Sequence, residues 1–313
     1  CCFFLAKILN FHAPPKNPAQ IRQSPRLRLV PLQPTPYIGA MDFNRLLPFG
    51  RKAPRVAVIR LQGAIGATRP GTQGLSDAAL GPLIERAFKR GKPCAVALVV
   101  NSPGGSPVQS SLIAARIRRL AEETGLPVHA FVEDVAASGG YWLACAADDI
   151  WADATSIVGS IGVISAGFGL QGLIDKYGVE RRVHTAGGAK SFMDPFRPEK
   201  PEDVARLTRL LEDMHLAFKS HVVARRGARL NGEADLFTGD VWTGRQAVEI
   251  GLIDGVAHAV PKLKSLYGDK VRFIPYGLRQ PWLRRFGARF GADAAGAVIE
   301  AAEERALWAR FGL

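Results

Sequence analysis

What is scarce in this sequence removes more possibilities than what is plentiful. Only four cysteines, Cys1, Cys2, Cys94 and Cys145, occur in 313 residues, and none falls in a C-x-x-C spacing. A disulfide framework and a cysteine-held metal are therefore not expected, and Cys94 and Cys145, set in apolar runs, read as small reduced hydrophobes. Long apolar runs are missing too. CCFFLAKIL is nine residues, against the roughly 20 that cross a bilayer as a helix. Acids are almost absent from the first sixty residues, where ten Lys or Arg face one acid, Asp42. That stretch carries most of the net charge of +13. The remainder is nearly balanced and shows no basic face interleaved with aromatics, so a nucleic-acid partner is not expected. H-E-x-x-H, a Walker loop and G-x-S-x-G are all absent, and no metal or organic cofactor is implied. None of the six histidines stands in an obvious catalytic setting. His215 and His221 fall in a long helical pattern, His129 falls inside a strand pattern, and His184 before AGGAK is kept only as a site-lining residue.

What is present is an alternation of strand and helix beginning at Arg55. RVAVIRL reads as a strand and SDAALGPLIERAFKR as a helix, followed by CAVALVV, a continuous apolar run of the kind a strand buried on both faces needs. Ile113, Ile117 and Leu120 mark a helix and VHAFV a strand; AASGGYWLACAA then reads as a helix entered through glycines. Short strands are expected at DDIWAD, SIGVIS and VERRVHT, a helix at GLQGLIDKYG, and a long helix with Val204, Leu207, Leu211, Met214 and Phe218 on one face. The pattern predicts an α/β chain of parallel βαβ units. Three segments follow. Residues 1–54 form a basic, proline-rich extension, with seven of the 21 prolines before residue 41. Because Met41 reads as a natural start, residues 1–40 are expected to be disordered or mis-assigned rather than a cleaved presequence. Residues 55–260 form the folded domain, and residues 261–313 a basic, aromatic and helical extension. That last segment suits a membrane surface or a partner, and equally a packed terminal helix with a solvated arginine face.

Three loops at successive strand ends carry groups suited to acyl transfer. NSPGGS, Asn101 to Ser106, follows a buried strand, and its Gly104 and Gly105 can bring backbone N–H groups close to a ligand oxygen. AASGG sets Ser138 at a strand-to-helix turn, with the Gly139 N–H as a second donor. AGGAKSF holds Lys190 in a glycine-rich, otherwise uncharged setting, where a desolvated amine can serve as a base. A second serine, Ser160 in GSIGV, competes with Ser138 for the role of nucleophile. Each loop alone is more simply a packing device: paired glycines permit close contact, and a lone lysine is usually a solvated charge. Their joint occurrence favours chemistry.

These residues resemble a known group, the signal peptide peptidase A and SohB-like serine peptidases of family S49, across about Val56 to Val260. The likeness rests on VNSPGGS, DVAASGGYW, SIVGSIGV, AGGAKSFMDPFRP and GDVWTGRQAVEIGLIDGV. The resemblance implies a single copy of the Clp protease/crotonase-like fold, with repeated ββα units and a parallel sheet. It implies Ser138 as nucleophile, Lys190 as general base and Ser160 as the residue that orients that lysine, with Gly104, Gly105 and Gly139 at the oxyanion and substrate. The activity implied is endopeptidase cleavage of extended apolar peptides, such as signal-peptide remnants or unfolded membrane-associated segments. The partners implied are peptide substrates and further copies of the chain, in a homo-oligomeric ring whose Ser-Lys dyad is shared between protomers. The amino-terminal anchor common in the family is not recognisable here, so a cytoplasmic location or one peripheral to the inner membrane is expected. The rival readings are a crotonase-like acyl-CoA hydratase or thioesterase, which would need a carboxylate at the reacting centre, and a noncatalytic membrane-associated scaffold, which would have lost a member of the dyad.

Overall fold

The computed structural model describes residues 53–66, 74–231, 235–278 and 305–313. The expected extension over residues 1–54 lies almost wholly outside these residues, as do 279–304. The first four elements are β1 (Arg55–Gln62), α1 (Asp77–Lys89), β2 (Ala95–Ser102) and α2 (Pro107–Thr124). They follow the sequence pattern closely, and all eight residues of β2 are buried. Ser76 caps α1 by accepting the Ala79 N–H, and Gly125, at φ 66°, ends α2 in the left-handed conformation that favours glycine. Arg116 of α2 grips Asp77 of α1 through two bonds of 2.7 Å. Its guanidinium holds the Asp77 carboxyl below the usual range.

Next come β3 (Val128–Ala137), α3 (Gly139–Ala144), β4 (Asp149–Ala152) and β5 (Ile157–Gly159). β1, β2 and β3 are mutually parallel and form the centre of the sheet. β3 serves two neighbours in turn: residues 129–132 pair with β4, and residues 135–137 pair with β5. The change of neighbour coincides with a register shift on the β2 side, where Val100 faces Val132 but Ser102 faces Ala136. The Asn101 side chain fills this irregularity, donating to Asp134 Oδ2 at 2.6 Å and accepting the Val135 N–H at 3.3 Å. Such a bulge bends and re-aims the end of a strand.

The chain continues through α4 (Gln171–Lys176), α5 (Pro201–Arg226), β6 (Val241–Thr243), α6 (Gly244–Glu249), β7 (Gly255–Val256), α7 (Ala259–Tyr267) and β8 (Arg272–Tyr276). The sheet order is β6-β5-β3-β2-β1-β8, with β4 beside β3 and carrying β7. Every pairing is parallel except β5 with β6. The architecture is thus mixed α/β with a mostly parallel sheet. Ile59, Leu61, Leu98, Val100 and Ala130 pack on one face with residues of α1, α2 and α3. Ala97 and Phe131 on the other face meet Leu263 of α7.

Three sequence expectations change. SIGVIS is not a strand: β5 ends at Gly159, and Ser160 breaks the extended run with φ 51°. VERRVHT is not a strand either: residues 179–185 pair with no strand among the described residues, and a lone extended segment leaves its ladder groups unmatched. β8 lies inside the segment read as a helical extension. It pairs with β1 from Arg55↔Arg272 to Ile59↔Tyr276, so the sheet continues past residue 260. Pro275 is tolerated there because, among the described residues, β8 has a strand on one side alone, β1.

Candidate active site

Ser138 stands where β3 ends and α3 begins, as the N-cap residue of the helix. Its backbone angles, φ 52° and ψ −120°, lie in a region that a side-chain-bearing residue rarely occupies. The surroundings hold it there. Its N–H donates to Gly159 O at 2.8 Å, and its carbonyl accepts the Trp142 N–H at 3.0 Å. The hydroxyl makes no capping bond. A strained serine on a strand-to-helix turn with an uncommitted hydroxyl is the geometry of a nucleophile elbow.

The glycines around it are there for space. A Cβ on Gly104, whose φ is 105°, would lie 2.8 Å from Ser138 Cβ and 3.1 Å from Gly139 N. A Cβ on Gly139 would meet Ser110 Oγ at 2.4 Å, and one on Gly140 would meet Ser102 O at 2.5 Å. The glycine loop is held from outside by Ile65, whose N–H donates to Gly104 O at 2.8 Å and whose carbonyl accepts the Ser106 N–H at 2.7 Å. In a parallel bridge of this kind the amide of the middle residue, Gly105, points away from the partner. Gly105 N lies 3.5 Å from where a Gly139 Cβ would be. The Gly104 N–H, by contrast, is already engaged by Ser102 Oγ at 3.3 Å. The Gly105 and Gly139 amides, the second in the unpaired first turn of α3, have no backbone acceptor among the described residues.

Ser160 is brought beside Ser138. Ala137 pairs with Gly159 and the Ser138 N–H donates to Gly159 O at 2.8 Å, so the two serines follow directly on paired strand ends. Ser160 is 9% exposed, and its N–H donates to Asp240 O at 2.6 Å. Gly159, at φ 110°, packs so tightly that an added Cβ would fall 2.6 Å from the Trp242 ring. Lys190 is elsewhere. It sits on an exposed arm, residues 163–200, its N–H donating to Gly187 O at 3.1 Å, and its side chain makes no hydrogen bond or ion pair with either serine. His184 is exposed on the same arm.

Sequence reasoning missed the groups that hold the serine loop in place: Asn101 and Asp134 at the bulge, Ser102 under Gly104, and Ile65 outside it. The NSPGGS motif contained two of them, but nothing in it shows that Asn101 reaches across to β3. It also gave no hint of a relay at the far end of β3, where His129 Nδ1 lies 2.9 Å from Asp149 and His129 Nε2 lies 2.7 Å from the Tyr267 hydroxyl. This resembles an acid–histidine pair, but nine residues of strand, about 30 Å at roughly 3.3 Å per residue, separate it from Ser138. It ties α7 to the sheet. Desolvation pushes the Tyr267 hydroxyl up to about 12, which suits a fixed hydrogen-bond partner rather than a titrating one. A cavity of about 790 Å³ opens on the α7 side of the sheet, bounded by Val58, Ala97, Val99, Phe131, Leu263 and Phe311. None of its walls comes from the Ser138 or glycine loops. Among the described residues, no group of three or more His, Cys, Asp or Glu could hold a metal ion. No helix among them is long and apolar enough to cross a membrane.

Comparison with known proteins agrees on the family. Residues 121–266 match the model of peptidase family S49, a span that contains Ser138, Ser160 and Lys190. A Na(+)/H(+) antiporter NhaA of Brucella melitensis is 46% identical over 291 residues, covering 86% of this chain but 39% of that protein. The chain thus spans well under half the length of that relative. The chloroplastic serine protease SPPA of Arabidopsis thaliana is 32% identical over 73% of this chain and 35% of its own length. A Synechocystis sp. protein that bears a protease's name is 32% identical over 237 residues, covering 74% of this chain and 82% of that one. Among solved structures, a 1510-N membrane-bound stomatin-specific protease in complex with a substrate peptide superposes with a TM-score of 0.46 at 14% identity, over 75% of this chain and 96% of the other. A likeness that low says nothing about individual residues. The family match and the Synechocystis relative, which this chain spans over most of its length, show that the chain belongs to peptidase family S49.

Proposed function

We propose that this protein is a serine endopeptidase in which Ser138 attacks the scissile carbonyl and Lys190 of a neighbouring copy is the base. The observation that carries the reading is Ser138 itself, strained at φ 52° and ψ −120° with an uncommitted hydroxyl, next to the Gly105 and Gly139 amides. In the first step the Ser138 O–H proton passes to the lysine amine as the Oγ–C bond forms, and the two amides take the charge that develops on the carbonyl oxygen. The resulting ammonium then protonates the leaving amine as the C–N bond breaks. Water, activated by the same amine, releases the acyl group from Ser138. Ser160, beside Ser138, orients the lysine.

The placement of Lys190 supports a shared dyad. Lys190 lies on an arm whose Ile164, Phe168, Tyr177 and Val179 are exposed at 70%, 85%, 71% and 55%, an apolar surface suited to a second copy. Covering the arm with a second copy would bring its lysine to a serine of that copy, so the site would be complete only in the assembly. The substrate class is extended apolar peptide, such as signal-peptide remnants or unfolded membrane-associated segments. Acyl-CoA chemistry needs a carboxylate aimed at the reacting centre, whereas Asp134, four residues before Ser138, is spent on Asn101. To test the shared dyad, inactive Ser138→Ala and inactive Lys190→Ala chains are mixed under conditions of subunit exchange. Mixed assemblies are expected to regain part of the peptidase activity. Exchange confirmed by mass with no return of activity would put the dyad within one chain and refute this arrangement.

A further inference from the structure

The arm that carries Lys190 is exposed almost throughout, yet it buries one carboxylate: the Asp194 side chain is 5% exposed. Four contacts converge on that residue. Asp194 Oδ1 accepts the Phe196 N–H at 3.1 Å, and the Asp194 carbonyl accepts the Arg197 N–H at 3.1 Å. Asp194 Oδ2 faces Arg181 Nε at 3.5 Å and Arg197 Nε at 4.0 Å. The Arg181 guanidinium in turn lies over the Phe196 ring, 5.3 Å from its centre. Arg181 precedes Lys190 by nine residues and Asp194 follows it by four, so this ion pair closes the base of the loop that has Lys190 near its tip. The same base is anchored to α4 by the Leu170 N–H, which donates to Pro195 O at 2.6 Å. On the far side, the Arg206 guanidinium of α5 lies over the Phe192 ring at 5.9 Å.

We infer that Asp194 is a positioning residue for Lys190, clamping the two arms of its loop so that the amine is presented in one orientation. The inference rests on the reading of Lys190 as the base. A loop of a dozen residues left unclamped at its base samples many orientations, whereas a base must meet the serine proton within a few tenths of an ångström, and misplacement by about 1 Å lowers rate by about 100-fold. The turn at residues 194–197 would need only a polar acceptor at position 194. The pairing with Arg181, which closes the Lys190 loop, needs the charge.

Asp194→Asn separates the two roles, since the amide oxygen can still accept the Phe196 N–H but the negative charge facing Arg181 is lost. In the assembled protein, kcat on an apolar peptide is expected to fall by about 10- to 100-fold, with KM within about twofold and with melting temperature and assembly mass unchanged. Arg181→Gln, at a side chain 47% exposed, should lower kcat in the same direction, and Arg181→Lys should recover most of it. Wild-type kcat in folded, assembled Asp194→Asn overturns the inference. If Asp194→Asn does not fold, the Arg181→Gln and Arg181→Lys pair decides alone. Lys190→Ala is measured in parallel: if it stays active, the reading of Lys190 as base fails first. If Lys190→Ala is dead while Asp194→Asn is unaffected, the positioning inference alone fails.

Discussion

Gly104→Ala tests whether the glycine loop presses directly on the nucleophile. The added methyl would sit 2.8 Å from Ser138 Cβ and 2.9 Å from Ala137 O, at a residue whose φ is 105°. Contact between carbons is comfortable at about 3.5–4.0 Å, so Ser138 or the loop must move by about 1 Å. Overpacking of this kind costs about 1–3 kcal/mol, and a positive φ adds about 1–2 kcal/mol for an L side chain. A central value of about 3 kcal/mol corresponds to a fall in melting temperature of about 6–12 °C for a domain of this size. Below that temperature the folded fraction remains high, but displacement of Ser138 by that shift of about 1 Å should lower kcat/KM by about 100-fold. Gly172→Ala is the control: its Cβ would meet nothing within 4 Å and its φ is ordinary, and in α4 alanine is favoured over glycine by up to about 1 kcal/mol. The assay is peptide hydrolysis and thermal melting on the two variants side by side. Gly104→Ala with the melting temperature and kcat/KM of Gly172→Ala would refute the close approach on which the site is built.

Ser138→Ala should lower peptidase activity by about 10⁶-fold, as loss of a nucleophile does, whereas Ser160→Ala, which removes only an orienting hydroxyl, should leave a reduced but measurable rate; the reverse ranking in a peptidase assay would exchange the two roles. Burial pushes the His221 imidazole below its ordinary 6.5, with Arg225 adding to the effect and a bond to Trp142 O opposing it. Below about pH 6.5 the unfolded chain therefore binds a proton that the folded chain resists. Stability from this group is full above that pH and is lost as pH falls toward the folded value, by up to about 1.4 kcal/mol per unit. The stack of His221 and Phe218 on Trp142, with ring centres 4.9 and 4.8 Å apart, joins α5 to α3. Melting curves from roughly pH 7.5 to 5.5 should fall more steeply in wild type than in His221→Gln, and parallel curves would contradict the assignment.

The core of the fold was legible because its cues are local. β2 reads as a strand since every side chain is buried, and α2 opens where Ser106 caps it and Pro107 follows. Ser138 stood out for a similar reason: the two glycines after it permit a close approach, to Ser110 and to Ser102 O, that a side chain would block. What the sequence hid depends on neighbours distant in the chain. The Asn101–Asp134 bond crosses 33 residues and the His129–Tyr267 bond 138, and neither has a periodic signature. The expected strand at residues 179–185 failed for a different reason. Val179 and Val183 carry the pattern of a strand, but extended backbone pairs only when another strand lies beside it, and none of the described strands does. β8 was hidden by its basic and proline-containing composition, RFIPY, which an edge strand tolerates and a central one would not.

Labelling the intact protein with a serine-directed fluorophosphonate, followed by peptide mapping, tests the central claim most directly. The reagent bonds only to a serine whose proton is taken by a base and whose developing charge is held, so it reads the nucleophile, the base and the oxyanion amides together. Modification is expected at Ser138, abolished by Ser138→Ala and by Lys190→Ala. Labelling at Ser160 with Ser138 untouched, or undiminished labelling of Ser138 in Lys190→Ala, would contradict the account.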